Sequence, residues 1–127
     1  YVAAVVLDTS VLIALLKVDD LHHESAVKAT SARNQYLISA VTLSEALIAA
    51  FRINEQSGRS RHQLITKVVS QIVPADEEIA LNAAQIRAEK NLSLADALIS
   101  ATAYKVKAQL WSCDRALVKS HKGAIKI

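Results

Sequence analysis

Apolar residues in this chain come in two alternating patterns, short unbroken runs and longer sets spaced at three and four residues. Ala3 to Leu7 is an unbroken, branched run that stops at Asp8, the signature of a strand buried on both faces. Tyr36 to Ser39, Gln71 to Val73 and Leu110 to Cys113 repeat it, and Ala124 to Ile127 reads as a short edge strand. Helical patterns fill the intervals. Ser10 to Lys17 predicts a short helix and Leu21 to Arg33 a second, amphipathic one. Thr42 opens a longer helix with Leu43, Leu47, Ala50 and Phe51 inward. Asn54 to Arg61 is the most polar stretch and predicts a turn, followed by a helix to about Ser70. Pro74 closes the third strand, and Asp76, Glu77 and Glu78 load the first turn of the next helix with acid that opposes its dipole. That helix has Ile79, Ala83 and Ile86 inward, the one from Ser93 has Leu98, Ile99, Thr102 and Val106, and Arg115 to His121 forms the last. Strands alternating with helices predict an α/β fold, a three-layer α/β/α domain with a mostly parallel central sheet of four to five strands, spanning residues 1–127 as one unit.

Against this frame four acids stand out, each where an apolar segment meets a turn or a helix start. Asp8 lies in VVLDTSVLIA, Glu45 in AVTLSEALIA, Asp96 in LSLADALISATA and Asp114 in LWSCDRAL. Singly, each has a structural explanation. Thr42 with Glu45, and Ser93 with Asp96, match the capping box, while Asp8 and Asp114 are placed to N-cap the helices that follow them. Capping gives no reason for a shared location, whereas a parallel sheet does, because groups following its strands gather at one edge. Two carboxylates about 4 Å apart repel by roughly 4 kcal/mol at an effective dielectric of 20. A group of four therefore takes up protons or a cation. With no Cys or His beside them at ligand spacing, oxygen-only ligation favours Mg²⁺, with Mn²⁺ able to replace it, over Zn²⁺. Cys113 adjoins Asp114 but faces away if both lie in a strand, and His22 and His23 read as surface residues.

Composition narrows the classes. With 52% hydrophobic residues the 127-residue chain can bury a full core, and with only 4% aromatics it lacks the stacking platforms of single-strand binders. The net charge of +3 conceals an uneven balance, since setting four clustered acids aside leaves fifteen Lys and Arg against eight acids. A basic exterior around an acidic pocket suits a polyanion held near catalytic cations. Arg59 and Arg61 in the polar turn, and Arg115 beside Asp114, are candidate phosphate contacts. A single cysteine permits no internal disulfide and fits a reducing compartment, no apolar run is long enough to span a membrane, and a cytoplasmic place is expected. The chain starts at Tyr1 and contains no Met, so residues preceding Tyr1 are expected in the full protein.

The LDTSVLIALL opening, then TLSEAL, LSLADALISATA and WSCD in that order, resemble the PIN-domain ribonucleases, and among them the VapC-type toxins of VapBC toxin–antitoxin systems. The resemblance runs over essentially the whole chain. It implies four acidic metal-binding positions, here Asp8, Glu45, Asp96 and Asp114, supported by a small hydroxyl residue, Thr9 or Ser10, near the first acid and by Ser112 before the last. Many relatives carry a further acid after the last one, where this chain has Ala116 and Leu117. The implied activity is Mg²⁺- or Mn²⁺-dependent hydrolysis of RNA phosphodiesters, with a second copy of the chain and a VapB-like antitoxin as partners. Three other readings compete: a degenerate PIN-like module that binds RNA or protein without cutting, a housekeeping RNA-processing nuclease of the same family, and a phosphotransfer enzyme with Asp8 as nucleophile. The last usually needs a second acid two residues on, where Ser10 stands, or a Lys after a late strand.

Overall fold

The computed structural model describes residues 2–127. Its elements are β1 (Ala4–Leu7), α1 (Thr9–Leu16), α2 (His23–Ala29), β2 (Gln35–Ser39), α3 (Ala40–Ile53), α4 (Glu55–Val68), β3 (Gln71–Val73), α5 (Glu77–Glu89), α6 (Leu94–Val106), β4 (Gln109–Ser112), α7 (Arg115–Ser120) and β5 (Ile125–Lys126). The strands form one sheet in the order β3-β2-β1-β4-β5, every neighbouring pair parallel. The expected three-layer α/β/α architecture is therefore present. β1 is central, with Val5, Val6 and Leu7 fully buried, which accounts for an unbroken apolar run where a half-exposed strand would alternate.

Successive residues of each strand serve opposite faces. Val6, Leu37 and Leu110 point into a core with Ile79, Ala83, Ala97, Ile99 and Leu117, which α5, α6 and α7 cover. Val5, Leu7, Ile38 and Trp111 point into the other core with Val11, Leu12, Ala26 and Ile65, from α1, α2 and α4. Trp111 meets Tyr36 edge to face, ring centroids 5.7 Å apart.

Several local expectations need correction. Asn54 to Arg61 is not a turn. Asn54 alone breaks the chain, and its side chain accepts the Ser57 N–H, so that α4 starts at once. Polarity there marks the outer face of a helix. Phe51 is half exposed rather than inward; its ring lies against Gly58, where a Cβ would come within 2.3 Å of it, so the missing side chain lets α3 and α4 close into a hairpin. The second helix is confined to His23–Ala29, with His23 donating from Nδ1 to the Ala14 carbonyl oxygen, 2.7 Å away. β4 stops at Ser112, which leaves Cys113 in the connection to α7. Finally, α3 is capped by Ser39, whose hydroxyl accepts the Val41 N–H, and not by Thr42.

Candidate metal centre

The chain leaves β1 toward β2 on one side and returns, through α6, to β4 on the other. At the carboxyl ends of β1 and β4 the sheet order therefore reverses, and a crevice forms where open α/β sheets bind ligands. Asp8 follows β1 directly and Asp114 follows β4 by two residues. Asp96 lies in the first turn of α6, and Glu45 near the start of α3. All four helices concerned begin at this edge.

Asp8 is 3% exposed and its carboxylate accepts three hydrogen bonds. Oδ1 takes the Ser10 hydroxyl at 2.5 Å and the Val11 N–H at 3.1 Å, and Oδ2 takes the Ser112 hydroxyl at 2.5 Å. The two serines also bind the β4–α7 connection: Ser10 Oγ accepts the Cys113 N–H and Ser112 Oγ the Asp114 N–H. One hydroxyl pair thus fixes Asp8 and the backbone that carries Asp114. Asp8 and Asp114 are both N-caps as well, so the capping explanation of these two residues is correct and compatible with a shared site. For Glu45 it fails. Glu45 stands beyond the first turn of α3, and its carboxylate accepts the Thr9 hydroxyl at 2.5 Å instead of reaching a cap.

Electrostatics tie the four together. Burial pushes the Asp8 carboxyl above its ordinary value, against the serine and Val11 hydrogen bonds, with a further upward push from Asp114. Asp96 is raised too, first by burial and then by the charges of Asp114, Asp8 and Glu45. The other three acids thus lie near enough to Asp96 for their charges to act on it. As placed, however, no three Asp, Glu, His or Cys side chains among the described residues are grouped tightly enough to hold a metal ion. The donor set itself, four hard carboxylates that disfavour one another's charge, fits a divalent cation, which would reverse the local preference for protons.

The basic residues separate. Arg59 is paired with Glu55 one turn earlier on α4 at 2.8 Å, whereas Arg61 lines a groove of about 660 Å³ between α1, α3 and α4 that also reaches Glu45. Arg115 opens α7 next to Asp114. Thr42, which the sequence offers only as a helix opener and cap, is fully buried on α3 and lies 3.2 Å from the Thr9 hydroxyl. Its signal was a hydroxyl on the inward side of an apolar helix.

Residues 5–121 match the sequence model of one family, the PIN domain. The chain belongs to the PIN domain family. Nucleases of this family generally use a divalent metal. Solved structures share the fold of this PIN domain over nearly its whole length. VapC20 of Mycobacterium tuberculosis, a Sarcin-Ricin loop cleaving toxin, aligns with a TM-score of 0.79 at 18% identity, covering 97% of this chain and 98% of that one. FitAcB of Neisseria gonorrhoeae gives 0.76 at 24%, covering 97% and 96%. A toxin–antitoxin complex from Klebsiella pneumoniae gives 0.76 at 26%, covering 97% and 99%. No curated protein matches by sequence.

Proposed function

We propose that this PIN domain is a metal-dependent endoribonuclease, the toxin of a toxin–antitoxin pair, acting in the cytoplasm. What supports the reading is the placement of Asp8 and Asp114 after β1 and β4 at the sheet's switch point, with Glu45 and Asp96 near the starts of α3 and α6 and the other three charges acting on Asp96. Asp8, Glu45, Asp96 and Asp114 would hold the Mg²⁺, with Mn²⁺ able to substitute. Such an ion supplies a bound water of lowered pKa and neutralises charge on the phosphoryl oxygens. The chain's own residues prepare the site. Ser10 and Ser112 hold Asp8 in one orientation. Thr9 holds Glu45. Arg61, in the groove that reaches Glu45, and Arg115, next to Asp114, would bind RNA phosphates, and Arg59 would join them once released from Glu55.

The partners follow the same logic. A segment of the cognate antitoxin would lie in the groove floored by Ile13, Leu16, Ala46 and Ala49, which opens beside Glu45, and so close the site while covering apolar surface. A second copy of the chain would cover the exposed outer face of α3, where Ile48 is 48% and Phe51 47% exposed. Support for the toxin reading comes from the neighbours, a cleaving toxin and a toxin–antitoxin complex of the same fold and size.

The test is incubation of the purified protein, freed of any antitoxin, with total cellular RNA in Mg²⁺ or Mn²⁺ and sequencing of new fragment ends. Discrete cuts that disappear with chelator and in Asp8→Asn are expected. No cutting of tRNA, ribosomal RNA or messenger RNA would leave the domain as a binding module.

A further inference from the structure

A buried hydroxyl must find a partner or lose hydration without compensation. Thr42 is fully buried, and its hydroxyl faces Thr9 Oγ1 at 3.2 Å. Thr9 Oγ1 is in turn 2.5 Å from Glu45 Oε1. A threonine hydroxyl has one proton, and an ionised carboxylate only accepts. The Thr9 proton therefore goes to Glu45, by far the shorter contact, and Thr9 cannot also donate to Thr42. The remaining contact must run the other way, with Thr42 donating to a Thr9 lone pair. The result is a directed chain from Thr42 through Thr9 to Glu45, and hydrogen bonds in such chains strengthen one another.

We propose that Thr42 is a positioning residue for Glu45, acting through Thr9. The placement explains why the chain matters for the site. Thr9 is the first residue of α1 and adjoins Asp8, while Thr42 and Glu45 lie one turn apart on α3. The two hydroxyls therefore fix Glu45 on one helix relative to Asp8 on the other. Glu45 is otherwise a long side chain free to turn toward the groove it also lines. This role rests on the reading of Glu45 as a member of the acidic site.

The test compares Thr42→Val, which keeps the shape and removes the hydroxyl, with Thr42→Ser, which keeps the hydroxyl, and with Thr9→Val. In the full chain without added metal, the carbon-13 resonance of the Glu45 carboxyl is recorded, and cleavage of RNA in Mg²⁺ is then measured. Thr42→Val and Thr9→Val should both move the resonance and lower kcat about tenfold with KM little changed, as loss of an outer-shell partner does. Thr42→Ser should behave as the parent, and Thr42→Val should add little to Thr9→Val, since it acts through that residue. Should Thr42→Val not fold, Thr42→Ala is read in the same way. A Glu45 resonance that moves in Thr9→Val and stays in the Thr42 variants overturns the proposal, as does a Thr42→Ser variant as impaired as Thr42→Val. If the parent cuts no RNA, the nuclease reading fails, and the resonance still decides whether the chain exists.

Discussion

Asp8 caps α1 and at the same time carries the most heavily bonded carboxylate of the site, accepting from Ser10, Ser112 and the Val11 N–H. Such a doubly used residue is hard to read from sequence, because either role alone explains its place. Asp96 is the clearer probe. Its pKa in the fold lies above the unfolded value, so its ionisation weakens the fold, and the penalty is present above the folded pKa and relieved as pH falls. Asp96→Asn is therefore expected to raise the melting temperature of the metal-free protein by a few degrees at neutral pH and, as a proposed metal ligand, to lose cleavage by more than the roughly 100-fold that loss of an outer partner costs. A calorimetric scan beside a cleavage assay checks both, and a lower melting temperature would show that burial and the neighbouring charges do not penalise the ionised Asp96. The arginines differ in the same way. Arg61→Ala should weaken RNA binding and flatten its salt dependence more than Arg59→Ala, whose guanidinium is already partnered by Glu55, as fluorescence titrations at several salt concentrations would show.

At the scale of elements, α7 is only six residues long yet begins with Asp114 at its cap, so its far end must be held. His121, which ends it, is 4% exposed, shares a 2.6 Å hydrogen bond with buried Ser100 of α6 and stacks on Tyr104, also of α6, with centroids 4.1 Å apart. Lys90, after α5, donates to the Ser120 carbonyl at 2.5 Å. Burial, followed by the Lys90 charge, pushes the His121 imidazole down to about 4. A histidine depressed below its unfolded value favours the fold fully above about pH 6.5, and the contribution is lost as pH falls through 4. At 1.36 kcal/mol per pH unit, the interval from 6.5 to about 4 makes the loss about 3 kcal/mol. Urea unfolding of the parent should weaken over this window relative to His121→Phe, which cannot protonate. Asp8 and Asp96, raised in the fold, act in the opposite sense, so only the difference between the two proteins isolates the histidine.

For the whole molecule, the proposed site depends on sheet order and helix starts, which put Asp8 and Asp114 after β1 and β4 and let the charges of Asp114, Asp8 and Glu45 act on Asp96. A cation that binds there and not to the unfolded chain must stabilise the fold, by about 2.7 kcal/mol at one hundred times its dissociation constant. Mg²⁺ or Mn²⁺ is therefore expected to raise the melting temperature of the parent and not that of Asp8→Asn. An equal rise in both would place the ion elsewhere. Among the described residues no helix is long and apolar enough to cross a membrane.

By itself the sequence determined the alternation of buried strands and helices, since an apolar run as dense as that of Ala3 to Leu7 is stable only between two covering layers. It also marked the four acids, because each stands where an apolar segment meets a turn or a helix start, places that a parallel sheet gathers at one edge. Local pattern does not distinguish polar helix surface from a turn, as at Asn54 to Arg61, nor does it reveal that the space left by Gly58 takes the half-exposed Phe51 ring. Only the tertiary structure decided which hydroxyls hold which acids. Ser112 meets Asp8, and Thr9 meets Glu45 and Thr42, across separations of 104, 36 and 33 residues. Hydrogen bonds are short-ranged, and partners so far apart along the chain are brought within reach by strand register and helix packing alone.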